Sequence, residues 1–183
     1  MSHQLGQFSR KLGRTGISPS PIGLGTVKFG RNQQVKYPKS FDLPDENDLS
    51  EFLDLAYSLG INTLDTAPSY GLSEERLGRL LKGQRNKWCI IGKAGEDFKD
   101  GQSIFDFSAD AIEKNVIRSL ERLNTDMIDV LLIHSDGRDV DILQDDDLIS
   151  RLEGLKSQNL IKAHGMSTKT VQGGIMALDM LDC

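Results

Sequence analysis

The sequence predicts an α/β protein with a parallel sheet, and three observations carry that reading. Apolar runs suited to strands alternate strictly with helical patterns, five times over. The helical patterns run about ten to fifteen residues, long enough for right-handed crossovers between parallel strands. One run, Met127 to His134, is almost continuously apolar with β-branched members, as a strand buried on both faces must be.

In chain order, residues 7–21 read as a hairpin, because Phe8, Leu12 and Ile17 alternate with polar residues around the turn-forming Gly13–Gly16. A first strand follows at Pro21–Thr26, then a long polar loop to Pro44. Asp45 is placed to cap a helix carrying Leu49, Phe52, Leu53, Ala56 and Leu59, which Gly60 ends. Ile61–Asp65 is the second strand. A helix starting at Ser73 buries Leu77, Leu80 and Leu81 and stops at Gly83, and Trp88–Lys93 is the third strand. After a loop rich in Gly and Asp, Ser108 caps a helix with Ile112, Val116, Leu120 and Leu123 on one face. The strand Met127–His134 is followed by a helix at Leu148–Gln158, a strand at Ile161–Ser167 and a helix from Thr170. Pattern alone suits a barrel and a doubly wound sheet equally.

With 183 residues, 38% of them hydrophobic and 27% charged, the composition is that of one globular domain, residues 1–183. The formal net charge of −5 argues against nucleic acid or an acidic membrane as partner and points to a small molecule. Cys89 and Cys183 are too few for a disulfide framework, which implies a reducing compartment. The N-terminus lacks the apolar core of a signal peptide, and no stretch approaches the roughly 18 apolar residues of a membrane span. The expected location is cytoplasmic.

The chemistry is expected where strands end. Three apolar runs finish on ionisable residues, Asp65, Lys93 and His134, and the period of two puts them on one face with Thr63, Ile91, Cys89, Leu132 and Val130. Tyr70 follows in the first of these loops, in the stretch Asn62–Gly71. A phenol beside an ammonium should lose its proton more easily than the ordinary tyrosine, near 10, making Tyr70 a usable proton donor. Asp65 would hold Lys93 by a charge-assisted hydrogen bond, and a neutral His134 could orient a carbonyl oxygen. A carbonyl there would be polarised, but the hydride needed to reduce it must come from a cofactor. A single ionisable residue at a strand tip is usually a solvated cap. Three complementary ones on adjacent strands are less ordinary.

At these residues the chain resembles the aldo-keto reductase superfamily over essentially its whole length. DTAPSYG with SEERLGRLLKG is similar to the family's Asp-Thr-Ala-x-x-Tyr-Gly signature, GKAGE supplies the lysine and IDVLLIHS the histidine. RKLGRTGISPSPIGLGT is similar to the family's N-terminal hairpin and first strand. The resemblance implies Tyr70 as general acid, Lys93 and Asp65 as the pair that tunes it, and His134 as the residue orienting the carbonyl. It implies a TIM (β/α)8 barrel, NADPH as cofactor, and Thr26, Asp65 and Ser167 on the cofactor side. In GMSTK, Ser167 matches a residue that hydrogen-bonds the nicotinamide amide, while Thr168 stands where many members have Asn. Barrels of this type need about 250 residues, so the chain is expected to cover the first five βα units only. A second chain covering the open barrel edges would then be a partner. The resemblance also admits a non-catalytic barrel, similar to the potassium-channel β subunits, or an inactive fragment.

Other motifs carry less. The acidic run Asp136–Asp147 lacks the Gly and Glu spacing of a calcium loop and reads as a solvated loop. His164 is out of phase with Ser167 and should face the helices. No His/Cys cluster has zinc spacing, Gly23-Leu24-Gly25 lacks the third glycine of a phosphate fingerprint, and Cys89 reads as a small core hydrophobe.

Overall fold

A computed structural model of the chain describes residues 9–35 and 37–181. Five parallel strands, β1 (Gly23–Gly25), β2 (Thr63–Asp65), β3 (Cys89–Ala94), β6 (Ile128–His134) and β7 (Ile161–Ser167), lie side by side in sequence order. A separate antiparallel hairpin, β4 (Glu96–Lys99) with β5 (Gln102–Phe105), occupies the segment after β3. The helices are α1 (Val27–Gly30), α2 (Glu46–Ser58), α3 (Ser73–Leu80), α4 (Ala109–Leu123), α5 (Asp139–Leu143), α6 (Asp146–Ser157) and α7 (Val171–Met180). No helix among the described residues is long and apolar enough to cross a membrane.

Three of the four crossover helices, α2, α4 and α6, start where a side chain can satisfy free backbone amides, while α3 has no side-chain cap. Asp45 and Asp48 form a reciprocal capping box at α2, Ser108 accepts from Ala111 N at α4, and Asp145 accepts from Asp147 N and Leu148 N at α6. At the far end of α4, Asn124 takes the left-handed conformation, φ 49°, that closes a helix.

The two faces of the sheet differ. Leu64, Ile90, Ala94, Leu131 and Ile133 pack on Leu53, Leu77, Ile112, Val116 and Leu152 of the helices in the main core. Burying each of the Leu, Ile and Val side chains stabilises the fold by about 1.5–3 kcal/mol. The opposite face carries a smaller cluster of Cys89, Val130 and Ala163, flanked by Ile91 and Leu132 and covered by Ile17. The period-two assignment of that face therefore agrees with the observed packing.

Several expectations change. Residues 7 and 8 lie outside the described part, and residues 9–22 form no paired strands. Their glycine turn makes a bond from Leu12 N to Ile17 O at 2.9 Å, and Ile17 buries itself against the sheet instead of extending a hairpin. The second strand begins at Thr63, not Ile61. Phe52 and Leu59 are exposed, so the buried stripe of α2 is Leu49, Leu53 and Ala56. The loop expected after β1 contains α1, and the one after β3 contains the β4–β5 hairpin. The acidic run is not simply solvated: it includes α5, and Asp139 within it is buried.

Candidate active site

Register explains how the polar strand ends meet. Asp65 is level with Ile91, Lys93 with Leu132, and His134 with Ser167. Each successive strand thus carries its polar residue two positions further along, and the three side chains step diagonally across the C-terminal end of the sheet. Tyr70 arrives from the loop after β2, on a 3₁₀ turn at Pro68–Tyr70.

Lys93 Nζ donates to Asp65 Oδ1 at 2.6 Å and to the carbonyl of Thr66 at 3.3 Å. The lysine side chain is 5% exposed and the aspartate 36%, so the ammonium is the buried partner. Burial lowers the Lys93 pKa, and Asp65 works against that fall. The Tyr70 hydroxyl donates to the same Asp65 Oδ1 at 3.4 Å, its ring lies under Lys93 Nζ with 5.0 Å to the centroid, and it meets the His134 ring edge-on at 6.2 Å.

The expected fall in the Tyr70 pKa does not occur. Burial pushes it up, and the charge of Asp65, the hydrogen bond to it and the charge of Glu96 add to the rise. The ammonium that was expected to favour the phenolate is committed to Asp65 and faces the ring, away from a direct bond to the phenol oxygen.

Below the site lies a network of hydroxyls. Thr26 donates from both N and Oγ1 to Asp65 O, at 2.9 Å each, and its Oγ1 accepts from Ser73 Oγ at 2.7 Å. Ser73 also contacts Thr66 Oγ1 at 3.1 Å. Thr26 is fully buried, with its hydroxyl spent on this network. It fixes Asp65 and offers no surface to a cofactor. Ser167, by contrast, is half-buried at the end of β7, next to His134 by register.

The profile of the aldo/keto reductase family matches residues 21–177. The chain belongs to this family. It is 51% identical to a putative aldo-keto reductase of known structure from Pseudomonas aeruginosa, with a TM-score of 0.90, over 99% of this chain and 68% of that one. An uncharacterised oxidoreductase of Bacillus subtilis, YqkF, is 33% identical over 87% of this chain and 48% of its own length. The D-arabinose 1-dehydrogenase of Saccharomyces cerevisiae is 34% identical over 82% of this chain and 43% of its own. The chain thus spans about half the length of these two curated relatives. Aldo-keto reductases are oxidoreductases that use NAD(P)H with small-molecule substrates.

In this member of the family, two residues of the strand-end region escaped the sequence reading. Glu96 opens β4 with Oε2 2.7 Å from His134 Nδ1. The approach lies off the ring's N–H direction and falls short of a well-directed hydrogen bond. Burial opposes ionisation of Glu96, yet the His134 ring, Ser103 and Ser69 hold its carboxyl down at about 2. The second is Asp139, which accepts from Ser135 Oγ and, on Oδ2, from Lys169 N at 2.9 Å and from Thr170 N and Oγ1 at 2.7 Å each. The available signal for Glu96 was its place three residues after Lys93, in GKAGE. Asp139 had none beyond the acidic run.

The remaining candidates behave as packing residues. His164 faces the helices and bonds Glu153 of α6 through Nε2 at 2.8 Å. Cys89 is a buried thiol whose pKa burial pushes up to about 11. A groove between α4 and α6 is remote from the strand-end residues, and its Arg151 is already paired with Asp110 and Glu113.

Proposed function

We propose that this chain carries the catalytic residues of an NADPH-dependent carbonyl reductase built on a (β/α)8 barrel, of which it supplies the first five βα units. The observation that carries the reading is the ion pair of Lys93 and Asp65 at 2.6 Å, with Tyr70 and His134 beside it at the C-terminal end of the sheet. That is the end where such barrels do their chemistry. Sequential strand order and helices packed against one sheet face support the barrel, since a doubly wound sheet reverses its strand order and covers both faces. β1 and β7 each pair on one side only, and α7 exposes Val171, Ile175 and Leu178, where a further βα unit would pack.

The donor set fits the nicotinamide end of the cofactor. Ser167 has a half-buried hydroxyl with no hydrogen bond to the described residues, next to His134, and would accept or donate to a carboxamide. When bound, NADPH supplies the hydride that adds to the carbonyl carbon. Tyr70 is protonated at neutral pH, as an ordinary tyrosine is, and its raised pKa holds the proton more firmly still, so the donor form is the resting form. An alkoxide is more basic even than this phenolate, and the transfer from Tyr70 to the developing alkoxide stays favourable. His134 orients the carbonyl oxygen, and Lys93, neutralising Asp65, keeps a bare carboxylate from facing that oxygen.

Tyr70→Phe tests the assignment. Carbonyl-dependent NADPH oxidation should fall by about 10²–10⁴-fold, the scale of one general acid, with the unfolding midpoint unchanged. A rate within twofold of the unsubstituted protein would overturn it.

A further inference from the structure

The site holds one acid that the Asp65–Tyr70–Lys93–His134 set does not include. Glu96 is the first residue of β4, and the turn before it is built for a single course of the chain. Gly95 has φ of +100°, a conformation that favours glycine. Its amide donates to Oδ1 of Asn115, a buried residue of α4, at 2.9 Å. A β-carbon on Gly95 would come within 2.7 Å of the Phe107 ring. The chain doubles back there and lays Glu96 over the strand ends, where its side chain is 12% exposed.

One oxygen of this carboxylate meets two elements of the site. Oε2 accepts from Ser69 Oγ at 3.1 Å and lies 2.7 Å from His134 Nδ1. Ser69 is fully buried and immediately precedes Tyr70 on the 3₁₀ turn, while His134 closes β6. Glu96 therefore ties together the supports of the two rings that must face one substrate oxygen. Arg31 does not compete for the carboxylate by a direct bond. Its guanidinium donates to the carbonyls of Gln33, Gln34 and Ser69 and stacks on Phe98.

We propose that Glu96 is a positioning residue: its carboxylate holds the Nδ1 edge of His134 and the Tyr70 turn in one geometry, leaving Nε2 for the substrate oxygen. The proposal rests on the reading of Tyr70 and His134 as the pair that faces the substrate. A carboxylate against Nδ1 demands a proton on that nitrogen. Nε2 then donates to a carbonyl oxygen when the ring carries a second proton, and accepts from a substrate hydroxyl when it does not. Glu96 touches neither substrate nor cofactor in this scheme and acts through His134.

The test uses the ring nitrogens of His134 as a readout that needs no turnover. In ¹⁵N-histidine-labelled protein the three histidines are assigned with His134→Gln and His164→Gln. Glu96→Gln, which keeps a group able to accept from Ser69, should move the His134 Nδ1 signal away from its protonated position, and Glu96→Asp should restore part of it. In protein active in carbonyl reduction, Glu96→Gln should lower kcat by about tenfold or more, the scale of one charge-assisted contact, with KM for NADPH unchanged. His134 signals that superimpose on those of the unsubstituted protein overturn the proposal. If the signals move while Tyr70→Phe leaves turnover intact, the positioning contact stands and the catalytic reading fails.

Discussion

The Lys93 ammonium lies 2.6 Å from Oδ1 of Asp65 but meets Tyr70 only through its ring, 5.0 Å from the centroid. The tuning pair is thus closed on itself, and the tyrosine beside it is a phenol in a half-buried, acid-flanked setting. An arrangement of this kind protects the proton on Tyr70 and does not loosen it.

That relationship predicts alkaline behaviour. Burial first, then Asp65, raises the Tyr70 pKa above the unfolded value near 10. Unfolded chains would release the proton as pH rises through that value while folded ones keep it. Stability should therefore decline as the pH climbs past about 10, in proportion to the shift. A difference titration at the phenolate absorbance, native protein against Tyr70→Phe, should find the missing ionisation above the ordinary tyrosine range. Asp65→Asn should bring it down. Ionisation of Tyr70 below about 10 would contradict the assigned environment.

The position of Tyr70 depends on a close approach of two backbones. A β-carbon on Gly30, in α1, would lie 2.1 Å from Ser73 N, 2.5 Å from Leu72 N and 2.5 Å from Tyr70 O. None of these atoms belongs to a flexible side chain, so the turn itself must move. Gly30→Ala should cost about 2–3 kcal/mol in denaturant unfolding, the upper range for overpacking, and should impair the reaction assigned to Tyr70. Gly154→Ala, in α6 with nothing within 4 Å, serves as control. It should be neutral or stabilise by up to about 1 kcal/mol through helix propensity. Equal effects of the two substitutions would sink the close-approach argument.

Much of this architecture was legible because it rests on local rules. The apolar face of α4 and its Ser108 cap follow from spacing, and the end of β6 at His134 from the apolar run. What could not be read depends on distances between remote segments. Whether Lys93 reaches Asp65 or Tyr70 is decided by a two-residue step in register and by the turn that carries Tyr70. Glu96 was hidden for a related reason: the period of two ends at Ala94, and the backbone conformation of Gly95 decides where the next side chain points. Ser73 looked like a helix starter and is a buried hydroxyl joining the ends of β1 and β2. Thr26 similarly became a support of Asp65.

Asp139 supplies a last case in which a residue of the solvated-looking run holds the site's rim. Its Oδ2 receives three donors from Lys169 and Thr170, which follow Ser167 after one intervening residue, and a β-carbon on Gly173 would fall 2.2 Å from Asp139 Cβ, so α7 is seated on this carboxylate. Burial opposes ionisation, but Ser135, Thr170 and Lys169 hold its pKa below the ordinary aspartate value. The stability it confers is present above the unfolded value near 3.9 and is lost as pH falls through the lower folded value. Asp139→Asn keeps the shape but can present only one acceptor oxygen, so either Ser135 or the Lys169–Thr170 donors lose their partner. The expected cost is about 2–3 kcal/mol, on the scale of hydrogen bonds to a charged group, read as a lower urea midpoint at neutral pH. Amide exchange at Lys169 and Thr170 should accelerate in the same variant. Unchanged exchange at both amides would show that the carboxylate is not what holds this end of β7.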